Sequence, residues 1–260
     1  VNKIKIKYVL LAKSIPEYSK RDGVCYTCSL GYSPELGLIR VYPLPISSMN
    51  KWDVYEIEVE RNKYDTRSES WKLSSYARKE NWVGLDKDVK PLYKADPKDT
   101  INLITQFKCV SIKQLNNLKK SIGLIQLLEH RIYWKPNNRF LETKEYGLFG
   151  DVEIADFTKY TKETKNKEAR IFFRDKDGEH DIQYNEWQVY EYQRKFKASD
   201  EAFRFIKNSN ILLVGNMHNY RNTWIGLGMF KSYSYNLFEV GSDVNNTFTN
   251  EIIDYQQTLF

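Results

Sequence analysis

Apolar and polar residues alternate from the first positions of the chain. In Val1-Asn2-Lys3-Ile4-Lys5-Ile6-Lys7 charged and apolar side chains take turns, the period of a strand with one buried face. The spacing predicts strands over 3–12, 23–30, 37–42 and 54–61. In the last of these Tyr55, Ile57 and Val59 form one apolar face against Glu56, Glu58 and Glu60. Turn signals separate the runs: Asp22-Gly23 closes a polar stretch over 14–22, and Ser33-Pro34-Glu35-Leu36-Gly37 forms a second turn. Residues 1–75 therefore read as a β-barrel-like lobe.

The period changes after residue 75. Residues 76–120 read as a loop-rich connector, with Pro91 and Pro97 as breakers. Asp96-Pro97-Lys98-Asp99 opens a short helix over 100–107, and 111–120 places Ile112, Leu115 and Leu118 on one helical face. Residues 121–260 read as a second α+β lobe. Its expected strands are 122–128, 131–134 and 169–174, followed by a helix over 184–197 with Trp187 and Tyr190 on one stripe. A helical turn over 202–207 follows Ser199-Asp200-Glu201. The apolar runs 211–214 and 224–230 form a hairpin whose tip carries Asn216, His218, Asn219, Arg221 and Asn222. Residues 158–167 are a charge-dense loop, and Phe238 and Phe248 are anchors in a polar tail. The fold class is α+β, β-dominated, with two small barrel-like (OB-like) lobes and a few helices.

Composition adds an aromatic excess: 19 Tyr, 13 Phe and 6 Trp suit β-rich structure and equally a surface that stacks bases. Net charge is +6, which fits a polyanionic partner and also fits an ordinary lysine-rich protein. The 3 Cys exclude a disulfide scaffold, and Cys25 and Cys28 lie on a strand with no second pair to complete a zinc site. No signal-peptide pattern opens the chain and no apolar run is long enough to span a membrane. The expected setting is the cytoplasm.

The candidate chemistry is concentrated around 40–71. Asp65, Arg67 and Glu69 lie at alternate positions, so in an extended segment all three face one side. They supply a site with two carboxylates and a guanidinium fork, or an arginine that fastens a loop by bridging two acids. Arg40 and Tyr42 share a strand face and suit a phosphate or a base, or a strand ion pair. His218 and Arg221 suit nucleic-acid contacts, or the tip is a turn rich in Asn because Asn tolerates positive φ. His180, between Gly178 and Asp181, reads as a loop histidine or as a further contact. Asp53…Glu58-Val59-Glu60 is the nearest approach to a metal-nuclease spacing, without the usual lysine. Phosphate-binding loops, dinucleotide fingerprints and Ser/Cys-His hydrolase signatures are absent.

Three blocks resemble a family of largely uncharacterised bacterial proteins. The first is Gly37-Leu38-Ile39-Arg40-Val41-Tyr42-Pro43-Leu44-Pro45, Trp52-Asp53-Val54 and Asp65-Thr66-Arg67-Ser68-Glu69-Ser70. The second is Phe173-Arg174, Gly178 to Gln183, Glu186-Trp187 and Glu191. The third is Leu213 to His218, Arg221, Thr223-Trp224-Ile225 and Gly228-Met229-Phe230. Members often carry a cysteine knuckle before the Gly-His of the second block. Asp175 to His180 holds no Cys here, so neither a structural zinc nor any other cofactor is expected. The resemblance implies action against phage by removal of modified bases from DNA.

In that reading Asp65, with Glu69 as alternative, is the catalytic carboxylate of a metal-independent DNA glycosylase. Arg40 and Arg67 hold phosphate, Tyr42, Trp71 or Trp224 stack the base, and His218 with Arg221 contacts the backbone, all facing one cleft between the lobes. A non-catalytic nucleic-acid-binding module and a metal-dependent nuclease are the alternatives. DNA is preferred to RNA as partner, a membrane is not expected, and no oligomeric state is assigned.

Overall fold

The computed structural model describes residues 3–19, 24–44, 49–74, 89–136, 167–196 and 201–232. Most of the expected loop at 158–167, Ser199-Asp200 and the anchors Phe238 and Phe248 lie outside the described residues.

Strand β1 (Ile4–Lys13) runs Tyr8-Val9-Leu10-Leu11-Ala12 without a polar break, and all five side chains are buried. A strand apolar on both faces must be covered on both. Ile6, Tyr8 and Leu10 point into a core with Ile39, Val41, Tyr55, Ile57, Val59 and Leu73. Val9, Leu11 and Ala12 point the other way, into a second core.

The first core is the interior of a closed barrel. β1 pairs antiparallel with β3 (Val24–Ser33) on one side and with β5 (Asp53–Arg61) on the other. β3 pairs with β4 (Gly37–Leu44), β4 runs parallel to β6 (Ser70–Leu73), and β6 returns antiparallel to β5. The ring order β1-β3-β4-β6-β5 with one parallel contact is that of a five-stranded, OB-like barrel. Three strands of this sheet were not expected, β6 being one. β2 (Glu17–Ser19) pairs with β3 inside the predicted polar stretch. β7 (Val89–Lys94) pairs with β5 and carries Pro91, which therefore occupies an edge strand rather than a loop.

Helix α1 (Pro97–Thr105) is capped by Asp96, whose carboxylate accepts the backbone N–H of Lys98 at 2.8 Å and of Asp99 at 3.0 Å. Helix α2 (Ile112–Asn117) is capped by Ser111. Ile112 and Leu115 are buried as the periodicity requires, but α2 ends before Leu118, which is exposed.

A four-stranded sheet follows, in the order β14 (Trp224–Phe230), β13 (Ile211–Asn216), β9 (Ile122–Gln126), β8 (Lys108–Cys109). β13 repeats the logic of β1. Ile211 and Leu213 pack with Leu124 and Leu227 against Val9, Leu11, Leu30 and Tyr32 of the barrel's outer face. Leu212 and Val214 pack the other way, against Ile171, Phe173, Tyr184 and Tyr190. That last core lies between this sheet, a three-stranded sheet of β10 (Glu129–Pro136), β11 (Lys167–Arg174) and β12 (Glu179–Gln183), and helix α3 (Trp187–Phe196). A short 3-10 turn, Glu201–Phe203, follows α3. The two halves therefore share one continuous apolar seam.

Candidate nucleic-acid interface

At the seam's polar end, the loop between β5 and β6 meets the hairpin tip between β13 and β14. The first loop is not extended. The Asp65 N–H donates to the Asn62 carbonyl at 3.2 Å and the Ser70 N–H to the Arg67 carbonyl at 3.1 Å, so two turns succeed each other. Asp65, Arg67 and Glu69 consequently do not face one side as a strand would place them.

Arg67 grips Asp65 from the side: its Nε lies 2.9 Å from Oδ1 and 3.0 Å from Oδ2, and Nη2 lies 2.5 Å from Oδ2. Its Nη1 crosses to the second half and donates to the Asn216 carbonyl at 2.7 Å. His218 Nδ1 sits 3.2 Å from Asp65 Oδ1, and Arg221 Nη2 donates to Thr66 Oγ1 at 2.7 Å. Glu69 turns inward instead. Its Oε2 accepts the hydroxyls of Ser68 at 2.8 Å and Ser121 at 2.7 Å, and Lys120 Nζ lies 3.9 Å from Oε1. Glu69 Oε1 is buried without a hydrogen bond among the described residues.

Arg40 lies beneath this layer. It leaves β4 on the outer face with Tyr42, but only 4% of it is exposed. Its guanidinium donates to Ser70 Oγ at 3.3 Å, the Ser121 carbonyl at 3.1 Å and the Asn216 carbonyl at 3.4 Å. Gly215 makes room for it: a Cβ there would stand 2.9 Å from Arg40 Nη2. Burial pulls the Arg40 pKa down, the neighbouring Arg67 adds to this, and Asp65 and Glu69 oppose it.

The structure thus joins Arg40, Asp65, Arg67 and Glu69 of the first block to His218 and Arg221 of the third. It corrects several assigned roles. Arg40 is enclosed by the second half and cannot reach a phosphate. The expected cleft is closed by the apolar seam. Trp224 is 4% exposed and donates its indole N–H to Asn116 Oδ1 at 3.0 Å, so it offers no stacking face. His180 is on strand β12, not in a loop and not in this cluster; it stacks on Phe173, with Nε2 2.9 Å from Asp175 Oδ2. Trp71 is half-buried beneath Arg61, whose guanidinium lies 4.7 Å from the ring centre. Tyr42 is exposed and meets Tyr26 edge-on at 6.3 Å. Asp65 has both oxygens occupied by Arg67, which leaves little basicity for catalysis. Sequence reasoning missed Ser121, a lone serine before a strand, and Gly215, whose role lies in the space it leaves.

Asp65 gives a pH prediction. Burial would raise its pKa, but hydrogen bonds from the Arg67 side chain and backbone and from Ser70, with the Arg67 charge, hold it well below the carboxylate range. A depressed folded-state pKa contributes stability above the unfolded value of about 3.9, lost as pH falls through the folded value. Asp65→Asn is therefore expected to lower the urea midpoint at pH 7, with the gap to wild type closing below about pH 4. A gap that stays constant from pH 7 down to about pH 3 would show that the carboxylate's charge is not what stabilises the loop.

A pocket of about 530 Å³, lined by Trp187, Tyr192, Phe196, Phe205 and others, lies against α3 and includes none of these residues. Lys51 and Glu186 at its edge pair at 2.7 Å and fasten the barrel to α3. Among the described residues, no group of three or more His, Cys, Asp and Glu is placed to hold a metal ion, and no helix is long and apolar enough to cross a membrane.

A family model described as "Domain of unknown function (DUF8758)" matches residues 4–90. That span holds the barrel and the first block, and ends before the second and third. No curated protein matches the chain. Two solved structures are similar at low scores. The crystal structure of the tetrameric p202 HIN2 is 8% identical, with 88% of this chain and 96% of that chain covered and a TM-score of 0.30. A replication protein A heterotrimer bound to ssDNA is 10% identical, with 99% and 53% covered and a TM-score of 0.33. At these scores the likeness carries no weight for function, and the OB-like description of the barrel rests on its own strand order.

Proposed function

We propose that this chain binds nucleic acid on the surface where loop 62–69 meets loop 217–223. The observation that carries the reading is the cross-loop junction itself. Arg67, His218 and Arg221 each reach across it, and Arg67 occupies the Asp65 carboxylate, leaving a rim that includes exposed Lys63, Lys120 and His218 with half-buried Arg221. Such a rim meets phosphates, and a net charge of +6 agrees with it. Binding of a labelled oligonucleotide, followed by anisotropy, is expected to weaken steeply with salt. Arg221→Ala should reduce the salt slope by about one phosphate contact. Absence of binding at low salt, or binding indifferent to salt, overturns the proposal.

One observation favours a second reading, N-glycosidic hydrolysis of modified DNA in anti-phage defence. Glu69 is a carboxylate that is 8% exposed and has one oxygen without a hydrogen bond, which leaves that oxygen available to position a water. In that reading Glu69 replaces Asp65 as the reacting group. Alkali-sensitive sites formed in phage-type modified DNA by wild type and not by Glu69→Gln are the expected result. DNA left intact by the wild-type protein ends this reading while leaving the binding proposal in place.

A further inference from the structure

We infer that the nucleic acid held here is single-stranded, and that Tyr64 and Tyr220 are its stacking platforms. This rests on the binding reading above and specifies its ligand. Tyr64 is 88% exposed and Tyr220 is 65% exposed, one on each of the two joined loops. Neither hydroxyl has a hydrogen-bond partner among the described residues, and neither ring packs on another aromatic there.

Their backbones, by contrast, are fixed. Tyr64 sits inside the Asn62–Asp65 turn, with its own N–H donating to Asn62 Oδ1 at 3.0 Å. Tyr220 opens a turn closed by the Thr223 N–H donating to the Tyr220 carbonyl at 2.9 Å, and the Met217 N–H to the Thr223 carbonyl at 3.0 Å closes the loop base. Three cross-loop contacts hold the turns together: Arg67 to the Asn216 carbonyl, His218 to Asp65, and Arg221 to Thr66. Two aromatic faces on a preorganised base, beside Lys63, His218 and Arg221, meet the two requirements of single-strand binding: rings for unpaired bases and cations for the intervening phosphates. A duplex hides its base faces and would use the cations alone. The wide outer surface of β3 and β4 is unavailable for this purpose because Leu30, Tyr32 and Arg40 are covered by the second half.

The test uses the full chain with a fluorescein-labelled 20-mer of oligothymidylate and a 20-base-pair duplex. Wild type is expected to prefer the single strand. Each of Tyr64→Ala and Tyr220→Ala should weaken single-strand binding by about 5- to 100-fold, leaving duplex binding within about twofold. Tyr→Phe at either position should restore it, because stacking needs the ring and not the hydroxyl. Both side chains are exposed, so the variants should melt with wild type.

Alanine variants that bind the single strand as wild type does, while salt-dependent binding persists, overturn the stacking inference and leave the binding proposal standing. Equal loss on single strand and duplex also overturns it. A wild-type protein that binds neither probe overturns both.

Discussion

Arg40→Ala is expected to destabilise the protein by about 3 kcal/mol, because it removes three buried hydrogen bonds and empties the space beneath the loop junction. Arg40 joins three segments: Ser70 beside it in the barrel, Ser121 before β9, and Asn216 at the end of β13. The Asn216 carbonyl keeps Arg67 as a partner. The Ser121 carbonyl would lose the Arg40 donor, although it still accepts the Asn216 N–H at 2.9 Å. Arg40→Met separates volume from hydrogen bonding: it refills most of the space but supplies no donor, so it should recover only part of the loss. Arg40→Lys should also fall short, since one ammonium on a flexible stem does not reproduce a planar fork aimed at two sides. Equilibrium urea unfolding of the four proteins decides this. A change below about 0.5 kcal/mol for Arg40→Ala would show that the apolar seam alone holds the halves together.

Much of the fold was legible where side chains alternate or where a cap is chemically marked. Ile4 to Ala12, Tyr55 to Val59 and the Leu213–Trp224 hairpin have the expected strands, and Asp96 and Ser111 cap helices as their hydrogen bonding demands. Two of the strands that escaped have weak patterns. β12 reads Glu-His-Asp-Ile-Gln, with one apolar residue, and is ordered by pairing along β11 rather than by its own burial. β7 is exposed after Val89 and interrupted by Pro91.

The site was legible in its members and not in their environment. That Arg40 and Tyr42 leave β4 on one face followed from the period of a strand. That a sheet strand from 176 residues away covers Arg40 and spares Tyr42 did not, because burial by a distant segment leaves no local mark. Trp224 failed for the same reason: it follows a polar loop at the start of its strand, but its partner is Asn116. Tyr64 and Tyr220, which are exposed on the two joined loops, stand in polar turns that carry no periodic signal.

Gly31→Ala is expected to be more damaging than any single surface change and to cost more than about 3 kcal/mol through overpacking. Gly31 lies on β3 opposite Leu10, next to the irregularity in the β1 register between Leu10 and Ala12. A Cβ there would stand 2.3 Å from the Val9 carbonyl oxygen and 2.4 Å from Tyr8 Cζ. Neither neighbour can give way. The Tyr8 ring is fully buried in the barrel, with its hydroxyl donating to Ser29 Oγ at 3.0 Å. The Val9 carbonyl belongs to a strand paired on both sides, so moving it disturbs the β1–β3 and β1–β5 ladders together. Gly37→Ala is the control, because it has open space around it and a φ of 73°, so its cost is limited to about 1 kcal/mol of left-handed backbone strain. Circular dichroism and urea melts of the two variants should separate them clearly. A Tyr8→Leu, Gly31→Ala double variant then divides the clash: removing the ring relieves the contact with Cζ and not the one with the Val9 oxygen. Partial rescue is expected, and full rescue would mean that the backbone yields and the tyrosine alone requires glycine at this position.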